Sequence, residues 1–238
     1  MLDGRVIWSI YIWALSIIYR KFMQEKEETT PYRRTLKNKV LDVAIKLFIV
    51  HGVRAVKMDD IAQELGISKR TLYEIYTDKE ELLYQSVCRY DRQKQEHLSQ
   101  YARQHHVVDI IMEVYQLKTK ELKRINPVFF TDVLRYPKVE AYIKTERERT
   151  RVAFRQFMSR GVEEGLFQQQ INYDIITQLF DAIGNHIMCN KLLQTFSIEQ
   201  LFVNMFLVPL RGLCTAKGQT LMDVEIAKIL QTTGASVP

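Results

Sequence analysis

The sequence predicts an all-α protein, in which a small helical domain near the N-terminus is followed by a larger helical domain. Apolar residues recur at helical spacing along the chain, and no alternating apolar and polar run is long enough to build a sheet. Only 9 glycines and 5 prolines interrupt the 238 residues, of which 47% are hydrophobic. We expect an N-terminal extension over residues 1–31, a small domain over 32–80 and a larger domain over 81–238.

The extension contains an apolar segment at residues 6–19, "VIWSIYIWALSIIY", which is followed by Arg20 and Lys21. The segment is short for a membrane span, which needs ~20 residues. It also lacks the small-residue cleavage site of a secretory signal. Three interpretations stay open: translation that begins at Met23, so that residues 1–22 are not native, an anchor or interfacial helix, or a secretory signal.

An amphipathic helix of ordinary length and a second, short helix are indicated after Pro31. The first has apolar residues at i, i+4, i+7 and i+8, namely Val40, Ala44, Leu47 and Phe48, and Gly52 ends it. The second has Met58, Ile61, Ala62 and Leu65 on one face. Its first turn carries Asp59 and Asp60, which favour the positive end of the helix dipole.

A sharp corner between two helices is predicted at "LGIS", residues 65–68. Gly66 can adopt the left-handed conformation that ends the second helix, and Ser68 can cap the third by accepting a hydrogen bond from a backbone N–H. Ile67 and Leu72 stand at the positions of a hydrophobic staple. This spacing is typical of a helix-turn-helix, so residues 32–80 are predicted to be a three-helix DNA-binding domain.

Longer helices follow. Asp78 and Glu81 have the spacing of a capping box that opens a long fourth helix. Further helices are predicted in "DIIMEVYQLKTKELKRI", in "PVFFTDVLRY" and in "PKVEAYIKTERERTRVAFRQFMSRGVEEGLF", where Pro137 suits the first position of a helix.

The last two long helices are predicted in "YDIITQLFDAIGNHIMCNKLL" and "SIEQLFVNMFLVPLRGLC", and they are apolar on more than one side. Such helices must be buried in their own domain or against another copy of the chain. Two of them together favour a helical homodimer interface. The residues predicted to form it are Ile176, Phe180, Ile183, Ile187, Phe202 and Phe206.

The charge distribution favours a polyanionic partner. Lysine and arginine outnumber aspartate and glutamate by 34 to 28, which gives a net charge of +6. Asp42 is the only acid between Arg33 and Lys57. The basic residues of this stretch are Arg33, Arg34, Lys37, Lys39, Lys46, Arg54 and Lys57.

Motifs for enzymatic chemistry are missing from the sequence, which has no nucleophile elbow, phosphate-binding loop or zinc motif. His186 and Cys189 have ligand spacing, but no second pair accompanies them, so we predict no metal and no cofactor. The three cysteines make no disulfide framework, and a reducing cytoplasm is the simplest location.

Residues 36–83 resemble the N-terminal domain of the tetracycline-repressor (TetR/AcrR) family of bacterial transcription regulators. The resemblance lies in "VLDVAIKLFIVHGV" and "MDDIAQELGISKRTLYEIYTDKEELL", where caps, glycines, aromatic residues and spacing agree together. It implies a homodimer that binds a palindromic operator in double-stranded DNA and releases it when a small molecule enters the C-terminal domain. It also implies a recognition helix over residues 68–76.

The resemblance places several residues at DNA: Lys57, Met58, Ser68, Lys69, Arg70, Thr71, Tyr73, Glu74 and Lys79. Lys79 fits the usual phosphate contact. Lys57 and Met58 depart from the family pattern, which usually has a pair containing Thr, and Glu74 brings a negative charge that can accept a hydrogen bond from cytosine. By family analogy, Tyr115, Phe129, Tyr142 and His186 line the ligand pocket.

The sequence therefore predicts a cytoplasmic, ligand-responsive regulator, most simply a repressor, and not an enzyme. The alternative is a non-regulatory DNA-binding protein with the same helix-turn-helix, or a membrane-tethered one if the N-terminal segment is an anchor. The effector, the operator sequence and the regulated genes do not follow from the sequence.

Overall fold

The computed structural model describes residues 31–190 and 192–233. In this part of the chain the one β pairing is an isolated bridge between Phe167 and Cys214, so the all-α prediction is confirmed. The helices are α1 (Pro31–His51), α2 (Met58–Leu65), α3 (Lys69–Ile75), α4 (Lys79–Ala102), α5 (Val107–Leu122), α6 (Pro127–Val133), α7 (Pro137–Glu163), α8 (Tyr173–Cys189), α9 (Ile198–Phe202), α10 (Val208–Gly212) and α11 (Ala216–Thr233).

The chain divides into two compact units. The N-terminal unit comprises the described residues of 20–96 together with 124–145, and the C-terminal unit comprises 97–123 and the described residues from 146 onward. The N-terminal unit therefore extends past the predicted boundary at residue 80 and includes α6. The functional division of the chain into domains stays a prediction.

The first three helices of the N-terminal unit pack through the faces that their sequence periodicity indicates. Ala44 and Phe48 of α1, Ile61 of α2 and Leu72 of α3 are fully or almost fully buried. Gly52 after α1 and Gly66 after α2 have φ angles of 82° and 64°, which glycine adopts without steric cost. The predicted corner between α2 and α3 is therefore present.

The end of α1 is held by a segment that is distant in sequence. The Asn126 backbone N–H donates to the carbonyl of Ile49 at 2.9 Å, and the Asn126 side chain donates to the carbonyl of Val50 at 3.3 Å. The Arg54 backbone N–H donates to the Asp132 carboxylate at 2.9 Å. These contacts satisfy backbone groups that a helix end leaves without partners.

The start of α4 is fixed by a cap and by α7. The Asp78 carboxylate accepts the Glu81 backbone N–H at 2.8 Å, as the predicted capping position requires. The Glu81 side chain does not complete the reciprocal box; it accepts hydrogen bonds from Lys138 at 2.8 Å and from Gln85 at 2.9 Å. The hydrogen bond from Lys138 is the main cause that lowers the pKa of Glu81.

The core of the C-terminal unit is built from α5, α7, α8 and the chain after α8. Aromatic rings meet edge to face within it, with centroids 5.8 Å apart for Phe154 and Phe180 and 6.2 Å apart for Phe157 and Phe167. Such pairs stabilise a core beyond their area of contact.

The segment that joins α9 to α10 is a single π-helical turn, Val203–Leu207. It precedes Pro209, which has no backbone N–H and so cannot continue a regular helix ladder. A π turn absorbs such a defect without ending the helix. Leu207 and Leu210 are then both buried on the same side, in the core of the C-terminal unit.

The residues predicted for the dimer interface contribute instead to the unit's own packing. Phe180 is 2% exposed and Ile187 5% exposed, while Phe202 and Phe206 pack against the core. Among the described residues of α8, the large apolar ones that are exposed are Ile175, at 62%, and Leu179, at 44%. The apolar helices are thus present where predicted, but the face that the sequence analysis selected lies inward.

Helix α11 was not predicted, although its apolar residues have helical spacing. Its N-terminus is capped by Thr215, whose hydroxyl accepts the Gly218 backbone N–H at 3.3 Å. Met222 and Ile229 bury its inner face in the core of the C-terminal unit.

Gly218→Ala is expected to destabilise the C-terminal unit. A Cβ atom there would lie 2.2 Å from the backbone oxygen of Leu166, which is fixed because it also accepts the Thr215 N–H at 2.9 Å. We expect a loss of about 1–3 kcal/mol in the free energy of unfolding, measured by urea denaturation. Gly212→Ala is the control, since nothing lies within 4 Å of its Cβ position. Equal stability of the two variants would contradict the packing around Gly218.

No helix within the described ranges is both long enough and apolar enough to cross a membrane. The predicted apolar segment at residues 6–19 lies outside those ranges.

Candidate nucleic-acid interface and cavity

Helix α3 is short, capped and exposed on one side. The Ser68 hydroxyl oxygen accepts the Thr71 backbone N–H at 3.0 Å, which confirms the predicted cap. Leu72 is fully buried and holds the helix to the unit, and Tyr76 is buried just after it. The opposite side presents Lys69, Arg70 and Tyr73, all of which are exposed. A helix held in this way can enter a groove without losing its packing.

Both cations of this face are paired with acids of the same unit. The Lys69 ammonium lies 2.8 Å from the Asp59 carboxylate of α2, and this hydrogen bond is the largest cause that raises the Lys69 pKa. The Arg70 guanidinium lies 3.0 Å from the Glu74 carboxylate one turn along α3. Exposed pairs of this kind are weak, so phosphates or bases can replace the acids. The sequence analysis placed Glu74 on this face but did not predict the contact between Lys69 and Asp59. That contact depends on how α2 and α3 pack together.

Of the two DNA-contact residues predicted at the start of α2, Lys57 is exposed and Met58 is buried. Lys57 is exposed, and its backbone N–H donates to the Asp60 carboxylate at 2.7 Å. The Met58 side chain is only 6% exposed and belongs to the core. Of the two predicted contacts, Lys57 is the one whose side chain lies on the surface.

Thr71 and Lys79 are less accessible than their predicted roles suggest. The Thr71 hydroxyl is 2.8 Å from the Ser68 hydroxyl, and its side chain is half-buried. Lys79 is also half-buried, and burial lowers its pKa while Asp132 and Asp60 raise it. Each can approach a phosphate only at the edge of the exposed face.

The surrounding surface of the N-terminal unit is basic. Of the seven cations that the sequence analysis named in this stretch, six are exposed and Lys37 is half-buried. The exposed ones are Arg33, Arg34, Lys39, Lys46, Arg54 and Lys57. A cationic surface beside a capped helix attracts the phosphate backbone irrespective of sequence.

The C-terminal unit contains a cavity of about 70 Å³. Its walls come from α5, α8 and the segment 193–210, and they are almost entirely apolar. The lining residues include Ile111, Tyr115, Lys118, Thr119, Phe180, Ile187, Leu201, Phe202 and Phe206. Several of these are the residues that the sequence analysis assigned to a dimer interface.

Of the four residues predicted to line a pocket, the structure places only Tyr115 in the cavity wall. Phe129 and Tyr142 belong to the N-terminal unit, where Phe129 packs on Phe130 and Tyr142 packs on Tyr84. His186 is exposed and lies within hydrogen-bond distance of Asn190, at 3.1 Å. An aromatic residue in a helix does not disclose which of two units it packs in, which is the reason that Phe129 and Tyr142 lie away from this cavity.

Reactive sites are not apparent in the described ranges. They contain no group of three or more His, Cys, Asp or Glu side chains that could hold a metal ion. Cys214 is fully buried, and burial raises its thiol pKa to about 11, so the thiolate is disfavoured at neutral pH.

Comparison with known proteins gives a match over the segment that contains α2 and α3. Residues 40–85 match the model of the family described as bacterial regulatory proteins, tetR family. Over 47 residues the chain is 47% identical to a protein named as the mycofactocin biosynthesis transcriptional regulator MftR of Mycobacterium tuberculosis. That match covers 20% of this chain and 24% of the relative, so the chain spans about a quarter of that protein's length.

A solved structure shows a similar fold over a longer range. A transcriptional regulator from Saccharomonospora viridis in complex with choline aligns with 73% of this chain and 97% of its own, at a TM-score of 0.58 and 16% identity. AmtR of Mycobacterium smegmatis aligns with 91% of this chain and 100% of its own, at 14% identity. Its TM-score of 0.41 is too low to support an inference.

Proposed function

Since residues 40–85 match the tetR family of bacterial regulatory proteins, we propose that this chain is a cytoplasmic, homodimeric repressor of that family, and that it leaves a palindromic operator when a small molecule enters its cavity. The observation that carries the proposal is α3, which is capped by Ser68, anchored by Leu72 and exposed along Lys69, Arg70 and Tyr73.

The proposed contact places α3 in the major groove with its N-terminal residues nearest the base edges. Arg70 is the best candidate to read a base, because its side chain is 89% exposed and a guanidinium can bind O6 and N7 of guanine together. Lys69 can bind the same edge, and Tyr73 can donate to a phosphate. The Thr71 methyl group can contact a thymine methyl at the edge of the face.

Glu74 and Asp59 give this surface selectivity for base sequence over backbone charge. Each acid holds a cation that would otherwise bind any phosphate. When Arg70 reaches a guanine, the Glu74 carboxylate is released and can accept a hydrogen bond from a cytosine amino group. Operator contacts thus replace the pairs of the free protein.

The proposed dimer is formed by the exposed faces of the same two helical segments that the sequence indicated. Ile175 and Leu179 lie one turn apart on the outer face of α8, and Ala182 continues that face. Val208 of α10 is 53% exposed. Exposed aliphatic residues in a row are typical of a surface that another copy covers.

The cavity is the feature that favours a ligand-responsive regulator over a non-regulatory DNA-binding protein. An apolar space inside a helical unit is a preferred site for a small molecule. The choline bound to the Saccharomonospora viridis regulator supports the proposal that a protein of this fold takes such a molecule.

Arg70→Ala is expected to cost ~1–3 kcal/mol of operator binding per half-site and to relax the base preference at one position of each half-site. The operator is first obtained by selecting bound sequences from random DNA, which should return a palindrome. Affinities are then measured by fluorescence anisotropy at physiological salt, because salt changes the backbone contribution.

Arg103→Ala is the matched control, since Arg103 is also an exposed arginine but lies in the C-terminal unit. It should bind the operator like the unchanged protein. If Arg70→Ala and Tyr73→Ala both keep full specific binding, α3 does not read the operator and another surface must.

A further inference from the structure

Four aromatic side chains run in a row along the wall of the cavity. The ring centroids are 4.7 Å apart for Tyr115 and Phe202, 5.7 Å apart for Phe202 and Phe206, and 5.9 Å apart for Phe206 and Phe180. Aliphatic side chains of α5, α8 and the segment 193–210 complete the wall. An apolar group in the cavity therefore exchanges water for contact with rings and aliphatic carbon over most of its surface.

The charge that enters the wall is already balanced within the protein. Lys118 is the one charged residue among the described lining residues. Its ammonium lies 3.2 Å from the Glu121 carboxylate, and the two side chains are only 12% and 9% exposed. Because the opposite charges lie this close together, their fields largely cancel at the distance of a bound ligand. The pair therefore gives the wall no net charge.

The acid that acts on Tyr115 is balanced in the same way. Burial raises the pKa of the Tyr115 hydroxyl, and the nearby Glu199 carboxylate raises it further. Glu199 is paired with Lys123, whose ammonium lies 3.1 Å from its carboxylate. An ionised ligand would thus meet no unbalanced charge among the described residues of the wall.

The uncharged polar groups of the wall find their partners inside the protein. The Thr119 hydroxyl donates to the Tyr115 backbone carbonyl at 2.9 Å. Among the described lining residues, no buried polar side-chain atom lacks a hydrogen-bond partner. The wall therefore requires no polar group from a ligand.

We infer that the cavity binds a compact, uncharged and mainly apolar molecule, and that it discriminates against ions of the same shape. A cation or an anion would lose its hydration on entry without gaining an opposite charge, and burying an unpaired charge is far more costly than burying an apolar group. This inference rests on the proposed function and names the chemical class of its effector. The volume of about 70 Å³ has room for roughly five to seven water molecules, which limits the ligand to a compact one.

The test compares three probes of matched shape: 3,3-dimethylbutan-1-ol, choline and 3,3-dimethylbutanoate. Choline differs from the alcohol only in the positively charged nitrogen that replaces its quaternary carbon, and the carboxylate carries a negative charge on the same branched body. Binding to the full chain is measured by NMR titration, with the thermal midpoint as a second readout. We expect the alcohol to bind at least about tenfold more tightly than either ion. A smaller preference, tighter binding of either ion, or no binding of the alcohol would overturn the inference.

A filling variant then locates the alcohol. Thr119→Leu should lower the affinity for the alcohol at least about fivefold, because the added carbon atoms occupy part of a small cavity. Thr220→Leu is the matched control: the Thr220 hydroxyl also donates to the carbonyl four residues before it, at 3.1 Å, and Thr220 does not line the cavity. Circular dichroism checks that both variants keep their helical content. Equal affinities of the two variants would show that the alcohol binds elsewhere and would overturn the inference.

A second variant tests whether the ion pair takes part in recognition. Lys118→Met with Glu121→Gln removes both charges together, so neither side chain is left as an unpaired ion. This variant should bind the alcohol within about twofold of the unchanged protein and still prefer it over both ions. Loss of alcohol binding with unchanged helical content would show that the pair recognises the ligand, which contradicts the inference.

Ligand class and regulation are separable in this design, because the titrations need no DNA. If the alcohol binds as expected but does not weaken operator binding, the inference on the cavity stands and release by this class of ligand fails. If choline or the carboxylate releases the operator and the alcohol does not bind, the proposed function stands and the inference fails.

Discussion

A chain that carries both Ile175→Asp and Leu179→Asp is expected to be a folded monomer that no longer binds the operator tightly. Both side chains are exposed apolar residues on one face of α8, at 62% and 44%. A two-fold interface would bury four new carboxylates without partners, and each such burial costs several kcal/mol. Light scattering after size-exclusion chromatography gives the mass, and circular dichroism reports the helical content.

Operator binding should fall with the dimer, because linked half-sites gain from the second recognition helix being held close to the DNA. A monomer retains one α3 and its phosphate contacts. We therefore expect weak, salt-sensitive binding to remain.

Two control variants separate an interface from a core. Val224→Asp changes an equally exposed aliphatic residue of α11, at 49%, and should stay dimeric. Phe206→Asp should unfold the C-terminal unit, since Phe206 stacks between Phe180 and Phe202. A dimer that persists in the double variant of α8 would show that the interface lies elsewhere, and a folded monomer from Phe206→Asp would restore the face first selected from the sequence.

Asp132→Ala is expected to lower both the stability of the N-terminal unit and its affinity for the operator. Asp132 is 3% exposed, and its carboxylate accepts the Arg54 N–H in the turn that leads from α1 to α2. Removing a buried charged acceptor leaves that N–H without its partner and costs about 1–3 kcal/mol. Because the turn sets the position of α2 and α3, the affinity for the operator should fall with it.

Stability is measured by urea unfolding and affinity by anisotropy with the selected operator. Asp132→Asn keeps a carbonyl oxygen near the Arg54 N–H and should restore much of both quantities. Thr131→Ala is the neighbouring control, because its hydroxyl is exposed and donates only to the Val128 carbonyl within α6. Unchanged stability and affinity in Asp132→Ala would show that α6 does not position the helix-turn-helix.

The sequence alone determined the helix-turn-helix. Gly66 ends α2, Ser68 caps α3, and Asp78 caps α4, each through contacts with residues at most four positions away. Local contacts of this kind depend on residue type and spacing, which a single sequence displays. The buried positions Ile61 and Leu72 followed from helical periodicity for the same reason.

Only the tertiary structure decided which side of each apolar helix faces its own unit. Periodicity shows that α8 is apolar on two sides, but not that Phe180 and Ile187 lie inward while Ile175 and Leu179 lie outward.

Contacts between residues distant in sequence were equally hidden. Asp132 meets Arg54 across 78 positions, and Lys69 meets Asp59 across the corner between α2 and α3. The cavity brings Lys118 into one wall with rings from α8 and the segment 193–210. Such sites depend on how helices pack against each other, and packing is set by the combined shapes of many side chains rather than by the pattern within any one helix.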